Sequence, residues 1–147
     1  MSAPNKTANG MFNYNEIYGN RKLSEWADIC HRELSRESKW KYIPLKPGSF
    51  GFDNMIMSIG YLFENFTENT IEHLADLIHQ GWAINYIYWR DNKPKSPYIS
   101  PAKALGDKRR NDCAIIGYQN LPDDEKDKDR IIARTLMKYC DFTIEYE

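Results

Sequence analysis

The segment spanning residues 69–89, NTIEHLADLIHQGWAINYIYW, places the strongest constraint on what this chain can fold into. Asn69 with Glu72 three residues later has the pattern of a capping box, in which two side chains satisfy free amides at a helix start. Apolar residues then recur at spacings of three and four, which places them on one face of a helix. They are Ile71, Leu74, Ala75, Ile78 and Trp82. The segment is therefore predicted to be a helix with one buried face.

Aromatic residues crowd the second half of this helix, after Gly81. They are Trp82, Tyr86, Tyr88 and Trp89. Large rings with polar tips suit a hydrophobic core, and they equally suit a surface on which a planar ligand stacks. The pattern alone leaves both interpretations open.

The length and charge of the chain limit the class of protein it can be. Its 147 residues are enough to bury a core as one domain without a disulfide or a metal. The net charge of −1, from 20 basic and 21 acidic residues, gives no overall field that attracts nucleic acid or a membrane surface. No apolar run approaches the roughly 18 residues that span a bilayer, and the N-terminus lacks the apolar core of a signal peptide. We expect a soluble, cytoplasmic protein that binds neither membrane nor nucleic acid.

Motifs for catalysis, metals and cofactors are missing from the sequence. The 3 cysteines, Cys30, Cys113 and Cys140, form no C-x-x-C pair and are predicted to be reduced thiols. The sequence contains neither a glycine-rich phosphate loop nor an H-E-x-x-H zinc motif nor a G-x-S-x-G elbow. The chain is therefore predicted to be no enzyme and to hold no metal and no cofactor.

The segments before the central helix are predicted to be mainly helical. Residues 1–10 show no pattern and are expected to form a flexible tail. Periodicity predicts a helix over residues 22–36. The proline- and glycine-rich residues 38–52 predict an extended connector, from which Trp40 is expected to dock on the core. Residues 53–66 fit a helix or a pair of strands broken at Gly60, and we favour the helix.

The segments after the central helix mix loop, strand and helix. Residues 91–112 carry three prolines and predict a long surface loop. Residues 113–118 predict a strand or an extended segment that crosses the core, and the alternating residues 142–146 predict a short terminal strand. Between them, residues 121–139 predict a helix, because Pro122 and three following acids suit a helix start.

The run Lys108-Arg109-Arg110 in the predicted loop is the strongest local charge feature. Such a run is most often a solvated face. The alternative is that the guanidinium groups of Arg109 and Arg110 hold a phosphate while nearby aromatic rings stack on a base. The aromatic candidates are Trp82, Tyr86, Trp89, Tyr98 and Tyr118. His79, three residues before Trp82, fits a core histidine better than a ligand contact, although both interpretations stand.

Three pieces of the C-terminal half together resemble a known family. Residues 72–82 fit the pattern E-x-L-A-x-x-x-H-x-x-W, residues 116–118 are similar to an L/V-P-Y element with Gly117 in place of proline, and residues 121–130 fit L-x-x-x-E-K-x-x-D-R. In this order they resemble the ryanodine receptor repeat, the RyR domain, over about residues 69–147. The resemblance implies paired helices with a small strand element and a binding or regulatory role. It also makes Arg130, which otherwise fits an exposed ion pair, a candidate for ligand contact.

The predicted fold is a mainly α protein with an RyR-like unit at residues 67–147 and a helical extension at residues 11–66 packed on it. In prokaryotes and their viruses, the family context implies a sensor of nucleotide-derived signals or a phage-type sponge that sequesters a defence signal. Our first hypothesis is a non-enzymatic binding module for a small anionic, nucleotide-derived ligand. The second is a protein-interaction or scaffold module without such a ligand. The channel copies of the family occur in pairs, so a homodimer is also expected. The predicted ligand-binding residues are His79, Trp82, Tyr86, Trp89, Tyr98, Arg109, Arg110, Tyr118 and Arg130.

Overall fold

Helices account for most of the fold, which a computed structural model describes for residues 5–98 and 107–142. A short antiparallel hairpin, β1 (Ile17–Tyr18) and β2 (Arg21–Lys22), pairs Ile17 with Lys22 and leads directly into the first helix. The helices are α1 (Leu23–Glu37), α2 (Phe50–Asn65), α3 (Ile71–Asn92), α4 (Lys108–Ile115) and α5 (Asp123–Tyr139), with a 3-10 turn at Tyr118–Asn120. The prediction of a mainly α fold with a small strand element is confirmed.

The longest helix, α3, occupies the middle of the molecule and contacts α2, α4, α5 and the 3-10 turn. Gly81 allows α2 to cross it closely: a Cβ atom at this position would lie 2.5 Å from the carbonyl oxygen of Met57 and 2.9 Å from the Cα atom of Ser58. Both are backbone atoms of α2 and cannot rotate away. Helix axes approach this closely only where small side chains meet, so the crossing depends on glycine.

The hydrophobic core joins α1, α2, α3 and α5. Its fully buried side chains include Leu23, Trp26, Ile56, Ile59, Leu74, Ile78 and Leu136. A second, smaller cluster of Tyr86 and Trp89 packs under Phe50 at the end of α3. No helix in the described ranges combines the length and the apolar character needed to cross a membrane.

The predicted helix over residues 53–66 is confirmed as α2, which begins earlier, where the Ser49 side chain accepts a hydrogen bond from the amide of Phe52. The predicted cap of α3 is wrong by one residue. Thr70, and not Asn69, accepts a hydrogen bond from the amide of His73 at 3.3 Å. Glu72 does not close a capping box, because its carboxylate binds side chains from the 3-10 turn and α5 instead.

The segment around Arg109 differs most from its prediction. The side chain of Asp107 accepts a hydrogen bond from the amide of Arg109 at 2.7 Å and begins α4, so the basic run lies in a helix and not in a loop. Cys113 lies in the same helix, so the predicted strand or extended segment over residues 113–118 is wrong up to Ile115, and extended backbone begins only at Ile116. An aspartate at an N-cap is a recognisable signal for a helix start. The sequence analysis nevertheless predicted a loop, because three prolines precede Asp107.

Both ends of the described chain pack on the helices. In the predicted tail, Thr7 is buried and the amide of Ala8 donates a hydrogen bond to Asp53 Oδ2 at 2.8 Å. At the other end, Phe142 packs against the rings of Phe63 and Phe66. The predicted terminal strand extends into residues 143–146, which lie outside the described residues.

Candidate ligand-binding cavity

A cavity of about 360 Å³ lies where the five helices of the described ranges and the connector after α1 converge. Its volume falls in the range of about 300–1,000 Å³ that is typical of small-molecule sites. Side chains that carry chemistry line much of it. They are His31, Trp40, Asn54, His79, Trp82, Arg109, Arg110, Cys113, Glu125, Lys128 and Asp129.

The α3 side of the cavity is a column of three rings. Trp82 lies between His79 and Tyr86 in sequence, and its ring is nearly parallel to both, with centroid separations of 5.9 Å and 5.2 Å. Residues three and four apart lie above one another on a helix, so the two neighbours contact opposite sides of the indole ring. Little of either Trp82 face is therefore left for a stacked ligand.

His79 is held in one orientation by the backbone. Its Nε2 atom lies 3.0 Å from the carbonyl oxygen of Ile116, which only accepts hydrogen bonds, so Nε2 carries a proton. Its Nδ1 atom then faces Asp129 Oδ2 at 3.9 Å, which is too far for a direct hydrogen bond. The histidine thus links α3 to the segment before the 3-10 turn and presents its second nitrogen to a carboxyl group.

Helices α4 and α5 supply the charges of the cavity. Arg109 forms an ion pair with Glu125, and Lys128 Nζ lies 3.3 Å from the same carboxylate. Burial opposes ionisation of Glu125, but the two cations outweigh it and lower the pKa of this carboxyl. Arg110, half-buried, pairs with Asp107 at 2.8 Å. These side chains fix the guanidinium groups at the α4 wall.

Asp129 is the second carboxyl group of the cavity. Burial raises its pKa well above the ordinary value, and the charge of Glu125 raises it further against the opposing effect of Lys128. Its side chain makes no hydrogen bond within the described parts of the chain. The lining residues include three cations, Arg109, Arg110 and Lys128, and two carboxyl groups, of which burial disfavours the charged form of Asp129, so the lining is net positive.

Trp40 is a lining residue that the sequence analysis did not assign to the site. It was expected to dock on the core, but it is 50% exposed and lies at the cavity. Lys39, whose φ of 60° is in the left-handed region, turns the chain after α1, and the amide of Trp40 donates to the carbonyl oxygen of Ser35 at 2.8 Å. Trp40 stacks on no other ring among the described residues, and half of its surface is exposed, so part of the ring is accessible at the cavity. Its lysine neighbours in SKWKY were the available signal, since lysines beside an aromatic residue are typical of a solvent-facing segment.

Two of the predicted aromatic contacts are sealed in the second cluster. Tyr86 is fully buried and donates its hydroxyl hydrogen bond to Asn111 Oδ1 at 2.7 Å. Trp89 is also buried and donates from Nε1 to Asp53 Oδ2 at 3.2 Å. Neither residue lines the cavity.

Three further predicted residues lie away from the cavity. Tyr98 is partly exposed and has Lys46 over its ring. Tyr118 donates its hydroxyl hydrogen bond to Glu72, and Arg130 binds the same carboxylate through Nε at 3.0 Å. Of the predicted set, the cavity therefore brings together His79, Trp82, Arg109 and Arg110.

Comparison with protein-family models, curated proteins and solved structures found no match for this chain. The RyR resemblance therefore remains a prediction from the residues that carry it. One residue from each of its three pieces joins a single network, in which Glu72 of α3 binds Tyr118 of the 3-10 turn and Arg130 of α5. These residue types thus serve the packing of three elements on one another.

Proposed function

We propose that this protein is a non-enzymatic binding module for a small anionic, nucleotide-derived ligand that occupies the cavity. The observation that carries the proposal is that the half-exposed ring of Trp40 lines the same cavity as Arg109 and Arg110. Aromatic faces stack on bases regardless of sequence, and guanidinium groups bind phosphate oxygens in a two-pronged manner. The two features together fit a base with an attached phosphate.

The electrostatics of the lining support an anionic ligand. Arg109 and Arg110 each have five N–H donors, of which the pairs with Glu125 and Asp107 use only a part. Burial raises the pKa of Asp129, which disfavours a negative charge beside the ligand. A phosphate at the α4 wall would therefore meet unused donors on a net positive surface.

The cellular role that we propose is that of a signal sensor, or of a sponge that sequesters a defence signal, in the cytoplasm. This part of the proposal rests on the resemblance of residues 69–147 to RyR domains. The same resemblance supports a homodimer, in which two copies rebuild the paired arrangement of the family.

Thermal melting against nucleotides, cyclic dinucleotides and ADP-ribose tests the proposal. A ligand at 100 times its dissociation constant adds about 2.7 kcal/mol to the free energy of unfolding, which raises the melting temperature. We expect one class of ligand to give such a shift and the double variant Arg109→Gln, Arg110→Gln to lose it. Lys108→Gln is the matched control, because Lys108 is 90% exposed on the same helix and lies outside the cavity. A flat panel with folded protein would contradict the proposal.

A protein-interaction module is the second candidate, and one observation favours it. Ile115 is 77% exposed at the end of α4, and the neighbouring Ile116 is partly exposed. Exposed apolar pairs of this kind are found at protein interfaces. If the nucleotide panel is flat, we expect a partner recovered by pull-down to be lost with Ile115→Asp and kept with Arg109→Gln, Arg110→Gln.

A further inference from the structure

Two asparagines form a buried pair between α2 and α3. Asn85 of α3 is fully buried, and its Nδ2 atom donates a hydrogen bond to Asn54 Oδ1 at 2.6 Å. The carbonyl oxygen of Asn85 has no hydrogen-bond partner among the described residues. A buried amide that is only half satisfied reduces stability, because its polar groups have left water. Burying Asn85 therefore costs stability, and the one hydrogen bond that Asn85 makes goes to a residue that lines the cavity.

This pair fixes which end of the Asn54 side chain a ligand meets. Asn54 lines the cavity, and its oxygen is occupied by Asn85. Its amino group makes no hydrogen bond elsewhere in the described ranges. Two N–H donors are therefore available to a ligand at the α2 wall.

Resting on the binding function proposed above, we propose that Asn54 selects the ligand by donating its amide hydrogen bonds to a carbonyl oxygen on a heterocyclic ring, with Asn85 as its positioning residue. A ring that carries an amino group at the same position would place donors against donors. Sites built to pair with one polar group reject the analogue that leaves donors unpaired. The ligand class is thus an oxo-base nucleotide and not its amino counterpart.

The arrangement of the lining fits such a ligand. Asn54 lies on α2 beside the apolar lining residues Phe50 and Met55, whereas the guanidinium groups come from α4. A nucleotide in the cavity can place its ring at the α2 wall and its phosphate at the α4 wall. Discrimination between rings and affinity for phosphate then reside in different residues and can be measured separately.

Matched pairs of mononucleotides test the selection. Inosine and adenosine 5′-monophosphates differ in a carbonyl against an amino group on the ring, with the neighbouring ring nitrogen protonated only in the carbonyl member, and uridine and cytidine 5′-monophosphates differ in the same way. By calorimetry, we expect the wild type to favour the carbonyl member of the pair that fits by roughly tenfold in dissociation constant, the size of a net hydrogen bond. Asn54→Asp replaces the amino donor by an acceptor, so it should invert this ratio.

Two further variants separate selection from general damage. Asn85→Leu should bring the ratio towards one while the phosphate contacts are kept, because Asn54 is then free to rotate. Asn65→Asp is the matched control: Asn65 lies on the same helix, binds the carbonyl oxygen of Tyr61 at 2.9 Å and lies outside the cavity. Its ratio should equal that of the wild type.

The outcomes distinguish this inference from the function on which it rests. A wild-type protein that binds none of the four mononucleotides would overturn this inference, and a melting panel that is flat for cyclic dinucleotides and ADP-ribose as well would overturn the proposed function with it. A wild type that binds them but favours the amino member, or whose ratio Asn54→Asp leaves unchanged, would overturn the selecting role of Asn54 alone.

Discussion

Two neighbouring parts of α3 carry similar aromatic residues but have opposite relations to their surroundings. At the end of the helix, the polar tips of Tyr86 and Trp89 are paired with Asn111 and Asp53, and the rings are sealed under Phe50. Around Trp82 the packing leaves a cavity.

Polar groups at that cavity are left without hydrogen bonds within the described residues. They include the indole N–H of Trp82, the carboxyl of Asp129 and the amino group of Asn54. The comparison teaches that dense aromatic sequence marks a core, whereas unpaired polar groups beside open space mark a binding site.

The largest expected effect separates two tryptophans. Trp89→Ala should lower the free energy of unfolding by about 3–5 kcal/mol, because it leaves a cavity in a packed cluster. Trp40→Ala should change it by less than about 1 kcal/mol, since half of this side chain is already exposed. In ligand binding the order should reverse, with Trp40→Ala abolishing the thermal shift. Urea unfolding and thermal melting measure the two quantities.

Similar losses of stability from Trp89→Ala and Trp40→Ala would show that the two regions do not differ as described. Trp40→Phe is the matched control for the cavity, because it keeps a ring face and should keep part of the ligand affinity.

The next effect is the pH dependence of stability that arises at the end of α3, where Asp53 binds Trp89. Burial raises the pKa of Asp53 from 3.8 to about 6, even though hydrogen bonds from Ala8 and Trp89 favour its ionised form. The folded state therefore prefers the protonated carboxyl. The contribution of protonated Asp53 to the stability of the fold is fully present below about pH 4 and is lost as the pH rises through about 6. Two pKa units correspond to about 3 kcal/mol.

Asp53→Asn keeps an acceptor for the amide of Ala8 and removes the ionisation. Urea unfolding at pH values from 4 to 8 should show the variant gaining stability relative to the wild type as the pH rises. Taking the difference between the two proteins cancels other titrating groups. Parallel curves would contradict the assignment of a raised pKa to Asp53.

A smaller effect is expected where the two parts of α3 meet. Gly81→Ala would place a methyl group 2.5 Å from the carbonyl oxygen of Met57, so α2 must move and the free energy of unfolding should fall by about 1–3 kcal/mol. Gly117→Ala is the control. Nothing lies within 4 Å of its Cβ position and its φ is −66°, so this variant should be neutral or up to about 1 kcal/mol more stable. Equal losses from both would argue against the close crossing.

The smallest effect concerns the ion pair of α3 with α5. Arg130 binds Glu72 and Asp127 outside the cavity, so Arg130→Gln should reduce stability slightly and leave nucleotide binding unchanged. Calorimetry with the ligand found in the melting panel measures this. A lost affinity would place Arg130 in the site, as the family resemblance first predicted.

Helices with a regular apolar period could be predicted from the sequence, as α3 shows. Its stripe from Ile71 to Trp82 is local information, whereas the predicted capping box was wrong and the helix extends to Asn92, into the predicted loop. α4 was missed because Asp107 as a helix cap competed with three nearby prolines. Helix positions are predicted from local sequence patterns. The prediction is ambiguous where a helix-start signal and helix-breaking prolines lie close together.

The cavity could not be predicted because it is a product of distant contacts. Trp89 is sealed by Asp53, which lies 36 residues away, and Asn54 is held by Asn85, which lies 31 residues away. Arg109 and Arg110 were recognised by their charge. Nothing in the residues around Trp40 indicated that Arg109 and Arg110 would line the same cavity as Trp40. Their proximity depends on how the helices pack, including the crossing of α2 and α3.

The most direct test of the account uses the 4 tryptophans, Trp26, Trp40, Trp82 and Trp89, each of which contributes one indole N–H signal to a proton–nitrogen NMR spectrum. Single Trp→Phe variants assign the signals, and the protein is titrated with nucleotides and ADP-ribose. The account predicts that the signals of Trp40 and Trp82 shift on binding while those of Trp26 and Trp89 stay in place. Shifts of Trp89 without Trp40, or no shift with any of these ligands, would contradict it.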